Sequence, residues 1–179
     1  MTTIMNLDLD EFLPSVADFP KAGVVFRDIC PLLANPTAFA QAIDGMAAAV
    51  AGWRIEGIAG IESRGLIFGA ALALRMRLPL LPVRKPGKLP PPTQRAGYAL
   101  EYGSDALEMQ TRAVRAGEQL LLVDDVIATG GTLLAAAELV RTLGGTVSGI
   151  VALLEIGPLG GRERLVAAGL DVRALLRSG

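Results

Sequence analysis

The sequence contains no histidine, and Cys30 is its only cysteine. Without imidazole the chain cannot build Ser-His-Asp or Cys-His catalytic groups, and histidine-based metal sites are excluded as well. A single cysteine cannot form an intramolecular disulfide, which agrees with a reducing compartment. Any acid–base chemistry therefore falls to carboxylates, lysine, tyrosine or groups of a substrate.

A strong charge imbalance and a long apolar run are also missing. The net charge is −1, so the chain as a whole does not attract nucleic acid. No apolar run approaches the ~18 residues that cross a bilayer. The first residues carry acids where a secretory signal would carry basic residues. We therefore expect a cytoplasmic protein that binds neither nucleic acid nor membranes.

The composition is that of a folded globular protein. Apolar residues make up 51% of the chain and charged residues 20%, which argues against disorder. A length of 179 residues fits one domain with a sizeable core. Because no linker or internal repeat divides the sequence, we expect a single domain over residues 1–179.

Short apolar runs alternate with longer amphipathic segments. Buried strands are predicted at residues 54–61, 78–84, 118–127 and 147–156. Helices are predicted at 66–77, at 129–145 and from Asn35, as N-cap, to near Gly52. This alternation predicts an α/β fold with a mostly parallel twisted sheet flanked by helices.

Structure is also predicted for two segments outside these elements. Residues 85–105 are rich in proline and glycine, which predicts a long loop or a mobile hairpin, and loops of that length are usually functional. In the tail, the consecutive residues Arg162, Glu163 and Arg164 predict a solvated helical face.

The segment LLLVDDVIATGGT, residues 120–132, combines a buried strand with two adjacent acids, Asp124 and Asp125, and a glycine loop. Ligands of parallel sheets bind at the carboxyl ends of strands, where these groups lie. The loop offers free N–H groups, hydroxyls and a helix N-terminus, which suit a phosphate monoester. Its spacing matches neither a nucleoside-triphosphatase loop nor a dinucleotide-binding loop. A capped helix start with solvated acids is the alternative, and the acid pair on a buried strand weighs against it.

This segment resembles the phosphoribosyl-pyrophosphate binding motif of the type I phosphoribosyltransferases. The resemblance implies that family's fold, with a hood at about residues 15–35 and a flexible catalytic loop at about 85–101. It also implies that Asp124 and Asp125 meet the ribose hydroxyls, because carboxylates accept such hydrogen bonds well. The residues that would hold the 5-phosphate are Ala128, Thr129, Gly130, Gly131 and Thr132.

Further segments resemble the adenine-specific members of this family. They are DFPKAGVVFRDICPLL, GIESRGLIFGAALA, VRKPGKLP and YALEYGSDALEMQ. With the motif above, they cover most of the chain from Asp18 to Ile156 in the family's order. The resemblance implies transfer of the 5-phosphoribosyl group from 5-phospho-α-D-ribose 1-diphosphate to N9 of adenine. The products would be AMP and diphosphate, as in purine salvage.

Two of these segments carry groups suited to the diphosphate. ESRG ends a buried strand and opens a helix, so its amides and Arg64 can meet the diphosphate, as in the family. The basic segment RKPGK would stabilise the charge of the departing group. The residues assigned to the diphosphate are Glu62, Ser63, Arg64, Arg84, Lys85 and Lys88, with Arg84 also assigned as catalytic. A helix cap with a solvent-facing arginine and a solvated basic loop are the alternatives.

The residues expected at the base follow from the resemblance. The glutamate that matches Glu101 contacts N7 of adenine in the family, which assigns Glu101 as general acid/base, with Tyr102 beside it in the loop. An exposed loop acid is the alternative for Glu101. The other residues expected at adenine are Val25 and Arg27 through their backbones, Phe26 near the ring, and Ile156 on the purine face. Burying one face of a base in this way is worth ~1–3 kcal/mol.

The resemblance also implies Mg²⁺ and a homodimer. The ion would enter with the donor, held mainly by its phosphates and by water and without direct protein ligands. The expected partners are adenine, the phosphoribosyl donor and a second copy of the chain.

Other functions could use a similar donor site. A 6-oxo purine accepts a hydrogen bond where the adenine amine donates one, so a transferase for such a base would need different hood contacts. A non-catalytic sensor or transcription regulator would add a DNA-binding module, for which we expect no room before Asp18. A phosphatase-like use of the acid pair would leave the glycine loop and ESRG without a role.

Overall fold

The protein is described by a computed structural model that covers residues 7–100 and 103–179. Its residues fall into two compact units, the first ending at Gly45 and the second running from Met46 to Gly179. Helix α2 begins in the first unit and ends in the second.

The first unit consists of short elements. They are a 3₁₀ turn at Leu9–Phe12, strands β1 (Ser15–Ala17) and β2 (Val25–Arg27), helix α1 (Cys30–Ala34) and the start of α2 (Pro36–Ala49). Strands β1 and β2 form an antiparallel pair in which Val16 is opposite Phe26. The Asn35 side chain accepts hydrogen bonds from the backbone N–H groups of Thr37 and Ala38, both at 3.0 Å. The predicted N-cap of α2 is therefore confirmed.

The second unit is built on a five-stranded sheet. Its elements are β3 (Gly57–Ile61), α3 (Gly65–Met76), β4 (Leu80–Val83), β5 (Thr93–Leu100), β6 (Gly103–Gln110), β7 (Gln119–Ile127), α4 (Gly131–Thr142), β8 (Thr146–Ile156), α5 (Gly161–Ala167) and β9 (Val172–Ser178). The strand order is β4-β3-β7-β8-β9, and every neighbouring pair is parallel. The predicted α/β fold with a mostly parallel sheet is confirmed.

The strands differ in detail from their prediction. Strand β3 begins at Gly57 rather than at residue 54, and Glu56 just before it is tied to β7. The Glu56 N–H donates to the Gln119 carbonyl at 2.7 Å, and the Gln119 N–H donates to Oε2 of Glu56 at 2.9 Å. Strand β9 was not predicted, because its residues are mostly exposed or half-buried and lack a continuous apolar run.

The segment after β4 forms an antiparallel hairpin of β5 and β6, with pairing from Thr93 opposite Gln110 to Leu100 opposite Gly103. Of the two alternatives left open by the sequence, the hairpin is the one observed. The hairpin packs against α4, and its Ala96, Leu107 and Met109 belong to the main hydrophobic core. Within the described ranges, no helix is both long enough and apolar enough to cross a membrane.

Candidate active site

A cavity of about 530 Å³ lies at the carboxyl ends of β3 and β7. Its lining comes from the loop after β3, the segment after β4, the end of β7 and the loop that opens α4. The lining residues are Glu62, Ser63, Arg64, Lys85, Asp124, Asp125, Val126, Ala128, Thr129, Gly130, Gly131, Thr132 and Leu133. The structure thus brings together most of the residues assigned to the donor, together with Val126 and Leu133, which sequence reasoning did not single out.

Asp124 and Asp125 are buried near the end of β7. The Asp125 N–H donates to Oδ1 of Asp124 at 2.9 Å, and Oδ2 of Asp125 lies 2.9 Å from Nε of Arg64. Burial raises the pKa of Asp124 well above its ordinary value, and the neighbouring Asp125 charge raises it further. Burial also raises the pKa of Asp125, although the positive charge of Arg64 opposes that rise.

The loop from Ala128 to Thr132 leads from β7 into α4. Gly130 is the N-cap of α4 and has φ of +78°, a left-handed conformation that side chains rarely adopt. The first turn of α4 therefore presents its unpaired N–H groups next to the cavity, where the helix dipole favours an anion. This geometry agrees with a phosphate-binding loop.

The ESRG loop joins β3 to α3 directly beside the acid pair. A Cβ atom on Gly65 would lie 2.7 Å from Oδ1 of Asp124 and 2.8 Å from the carbonyl oxygen of Val123. Only glycine allows α3 to begin this close to β7. The requirement explains why Ser63 and Arg64 reach the same cavity as the acids.

The predicted basic residues have separate positions. Lys85 lines the cavity, whereas Arg84 and Lys88 are absent from the lining formed by the described residues. The Arg84 Nε donates to Oε2 of Glu62 at 2.9 Å, and the Lys85 N–H donates to the same oxygen at 2.6 Å. Burial alone would raise the pKa of Glu62, but these hydrogen bonds outweigh it and hold the pKa below its ordinary value.

Glu108 organises the basic segment and was not assigned a role from the sequence. Its side chain is 1% exposed, and its Oε1 accepts hydrogen bonds from three consecutive N–H groups of residues 87–89, at 2.9–3.2 Å. Its Oε2 accepts from Oγ1 of Thr93 and Nε of Arg95, both at 3.2 Å. The available signal was a carboxylate between two apolar residues of a strand, Leu107 and Met109.

The residues predicted at the base lie in separate parts of the chain. Phe26 contacts Phe19 edge-on, with ring centroids 5.1 Å apart, and Val25 is 60% exposed. Arg27 donates from Nε to the Leu13 carbonyl at 2.7 Å. These residues belong to the first unit, whereas Ile156, the last residue of β8, belongs to the second. Glu101 and Tyr102 lie outside the described residues.

The chain resembles known proteins in both sequence and structure. Residues 32–165 match the family of the phosphoribosyl transferase domain. Adenine phosphoribosyltransferase of Thermobifida fusca is 47% identical over 175 residues, which cover 98% of each chain. The enzyme of that name from Agrobacterium fabrum is 44% identical over 97% of each chain.

Solved structures agree with the sequence match. Adenine phosphoribosyltransferase of Thermoanaerobacter pseudethanolicus superposes with a TM-score of 0.92 at 44% identity, covering 95% of this chain and 98% of that one. The Saccharomyces cerevisiae enzyme, in complex with an imino-altritol bisphosphate and adenine, gives a TM-score of 0.87 at 40% identity, covering 94% and 96% of the two chains. The chain therefore belongs to the phosphoribosyltransferase family and, within it, to the adenine phosphoribosyltransferases.

Proposed function

We infer that this chain transfers the 5-phosphoribosyl group from 5-phospho-α-D-ribose 1-diphosphate to N9 of adenine, giving AMP and diphosphate in purine salvage. The observation that carries the inference is the single cavity that joins the acid pair, the glycine loop and the ESRG loop. A donor with a phosphate at one end, hydroxyls in the middle and a diphosphate at the other end requires these three groups.

In the proposed complex, the carboxyl groups of Asp124 and Asp125 bind the ribose hydroxyls. The loop from Ala128 to Thr132 binds the 5-phosphate through its N–H groups and hydroxyls. The raised pKa values of the acid pair support this arrangement, because they reduce the negative charge that a highly anionic donor meets.

The diphosphate is assigned to Ser63, Arg64 and Lys85, which line the same cavity. As the bond from C1 to the diphosphate breaks, the ribose gains oxocarbenium character and negative charge grows on the leaving group. Positive side chains that are already in place stabilise this charge without reorganisation. Arg84, oriented by Glu62, and Lys88 add to the positive field next to the cavity.

The base is bound by the residues that the family resemblance assigns. In the first unit, Val25 and Arg27 are assigned to the adenine edge through their backbone groups, and Phe26 is assigned a place near the ring. In the second unit, Ile156 is assigned to the purine face. Glu101 orients the base at N7 and exchanges a proton there, with Tyr102 beside it. Closure of the 85–101 segment excludes water that would otherwise hydrolyse the donor.

Mg²⁺ belongs to the proposed reaction as a companion of the donor. The cavity lining offers carboxylate, hydroxyl and carbonyl oxygens, and no sulfur or imidazole, which suits this ion. Within the described part of the chain, no group of three or more His, Cys, Asp or Glu residues could hold a metal. We therefore assign the ion to the donor's phosphates and to water, where it would neutralise charge on the departing diphosphate.

We also propose that the protein is a cytoplasmic homodimer. The exposed face of α3 supports a dimer, since Ile67 and Leu74 lie two turns apart on it and are 42% and 83% exposed. Light scattering of the purified protein would measure the mass, and Leu74→Glu should favour the monomer. A monomeric wild-type protein would contradict the proposal.

The function is tested by assaying the purified protein with the donor, Mg²⁺ and, separately, adenine, hypoxanthine, guanine and xanthine. We expect AMP from adenine alone, and Glu101→Ala should reduce turnover strongly. Glu138→Ala is a matched control, because Glu138 is an exposed acid on α4. Activity on a 6-oxo purine would contradict the assigned base, and donor binding without any product would favour a sensor.

A further inference from the structure

The loop from Ala128 to Thr132 is in direct contact with the start of α5. A Cβ atom on Gly161 would overlap the carbonyl oxygen of Ala128 and lie 3.0 Å from the Gly130 nitrogen. Conversely, a Cβ on Gly130 would lie 3.0 Å from the Gly161 carbonyl oxygen and 3.2 Å from Cγ of Leu165. The two backbones are therefore in contact with no side chain between them, and the position of α5 determines where the loop can lie.

Arg162 fixes the start of α5 to the sheet. Its Nε donates to Oε2 of Glu155 at 2.6 Å, and its Nη1 donates to the Val172 carbonyl at 2.9 Å. One guanidinium thus joins α5 to both β8 and β9. The prediction of a solvated helical face is correct for Glu163 and Arg164, which are exposed, and wrong for Arg162.

Glu155 is the buried partner in this anchor. Its side chain is 2% exposed, so it needs a cationic partner inside the protein. Arg177 of β9 is the second cation nearby, with Nε 3.4 Å from Oε1 of Glu155. That oxygen accepts no hydrogen bond from any of the described residues, and the Arg177 side chain is mostly exposed. Arg162 therefore supplies the directional bonds, and Arg177 adds only a weaker charge interaction.

We propose that Glu155 and Arg162 are positioning residues for the donor site. They hold Gly161 against Ala128 and Gly130, and so keep the loop ready to receive the 5-phosphate. A loop that is ordered before binding loses less conformational entropy on binding, which raises its affinity for the ligand. The proposal depends on the phosphate-binding role of this loop given under the proposed function.

A purely structural role for the ion pair predicts a different result. An anchor that only stabilises the fold would lower the melting temperature and leave the affinity for the donor unchanged. A positioning role requires weaker binding of the phosphate while the KM for adenine stays near its wild-type value. The two roles are separated by comparing these constants in protein that remains folded at the assay temperature.

The experiment uses the full chain with Arg162→Met, which keeps the length of the side chain and removes its hydrogen bonds. The control is Arg164→Met, two residues further along α5 and exposed. We measure the dissociation constant of ribose 5-phosphate, which probes the loop without chemistry, and the KM values for donor and adenine. We expect Arg162→Met to weaken the binding of ribose 5-phosphate about tenfold, which corresponds to about 1.4 kcal/mol of binding free energy, and to raise the donor KM in parallel.

Gly161→Ala gives an independent test if Arg162→Met does not fold. The added methyl group pushes on Ala128 while Glu155 and Arg162 keep their ion pair, so ribose 5-phosphate should again bind several-fold more weakly. Wild-type affinity in both folded variants would overturn the positioning role. If the wild-type protein itself binds neither ribose 5-phosphate nor the donor, the proposed function fails instead, so the two failures are distinguishable.

Discussion

Asp124 combines burial with a raised pKa, so its proposed role at the donor conflicts with stability. A carboxyl group whose pKa is higher in the folded than in the unfolded protein releases its proton on unfolding. The contribution of protonated Asp124 to the free energy of unfolding is therefore complete at acid pH. It is lost as the pH rises from the ordinary carboxyl range towards the raised pKa. The conflict is expected at a site shaped for a ligand rather than for the empty protein.

Asp124→Asn should therefore raise the melting temperature at neutral pH and weaken donor binding. For a chain of this size, about 2–4 °C correspond to 1 kcal/mol. The melting temperature should also change less with pH than it does in the wild-type protein. Asp171→Asn, at an exposed position, is the control for loss of one negative charge. An unchanged or lower melting temperature in Asp124→Asn would contradict the raised pKa.

Single residues differ in how far the sequence predicts them. The acids and the glycine loop follow one another along the chain, so their proximity is evident from the sequence. Glu108 and Arg162 act through partners at least six residues away, and their importance depends on burial, which a charged residue does not signal. The family resemblance did not supply their roles, and neither residue lines the cavity.

The hairpin and the basic segment before it form one element held by Glu108. The backbone of Glu108 also pairs with Arg84, through hydrogen bonds of 3.0 and 2.7 Å. Burial alone would raise the pKa of Glu108, but the hydrogen bonds that it accepts hold the pKa below its ordinary value. The contribution of ionised Glu108 to the free energy of unfolding is present above the pKa of the unfolded chain. It is lost as the pH falls through the lowered pKa of the folded protein.

We expect Glu108→Gln to release residues 87–89 and to displace Lys85 and Lys88. Loss of the charge and of part of the bonding should cost about 1–3 kcal/mol of unfolding free energy. Because misplaced groups slow the chemical step, kcat should fall about tenfold or more. Kinetics and urea unfolding check both effects, with Glu138→Gln as the matched control. A stability loss with wild-type kcat would limit Glu108 to a structural role.

At the scale of elements, the amphipathic pattern predicted the central strands and the main helices. It missed β9, which lies at the edge of the sheet and is only partly covered. The pattern also left both a loop and a hairpin open for residues 85–105. The pairing of β5 with β6 depends on packing against the apolar face of α4, which the local pattern does not show.

The whole sheet has its cavity at one end and an aromatic contact at the other. A Cβ on Gly149 would overlap the Trp53 ring, and its φ of +154° is itself unusual for other residues. The Trp53 ring also lies under the Arg173 guanidinium, 5.3 Å from the ring centroid. Trp53 therefore connects the chain before β3 with β8 and β9, far from the acid pair.

Gly149→Ala should destabilise the second unit without changing the site. Overlap with the ring and the strained φ should cost about 2–4 kcal/mol, because neither can relax cheaply. Distant sites usually contribute independently, so the donor KM should remain at its wild-type value. Trp53, the only tryptophan, reports unfolding by its fluorescence. A raised donor KM in this variant would show that the two ends of the sheet are coupled.

The strand order β4-β3-β7-β8-β9 is a property of the whole molecule that the pattern of apolar residues did not contain. Alternating strands and helices specify a parallel sheet, but several orders satisfy the same alternation. The family resemblance implied the type of fold, and the structure gives the order of the strands.

Because the chain lacks imidazole, few of its groups change protonation between about pH 5 and 8. The two buried carboxyl groups at the end of β7 are displaced upward from the ordinary acid range. Among the carboxyl groups of residues 7–100 and 103–179, a carbon-13 resonance that titrates unusually late would therefore come from this pair. The site carries an intrinsic spectroscopic label, with which donor binding could be followed without a dye or an added probe.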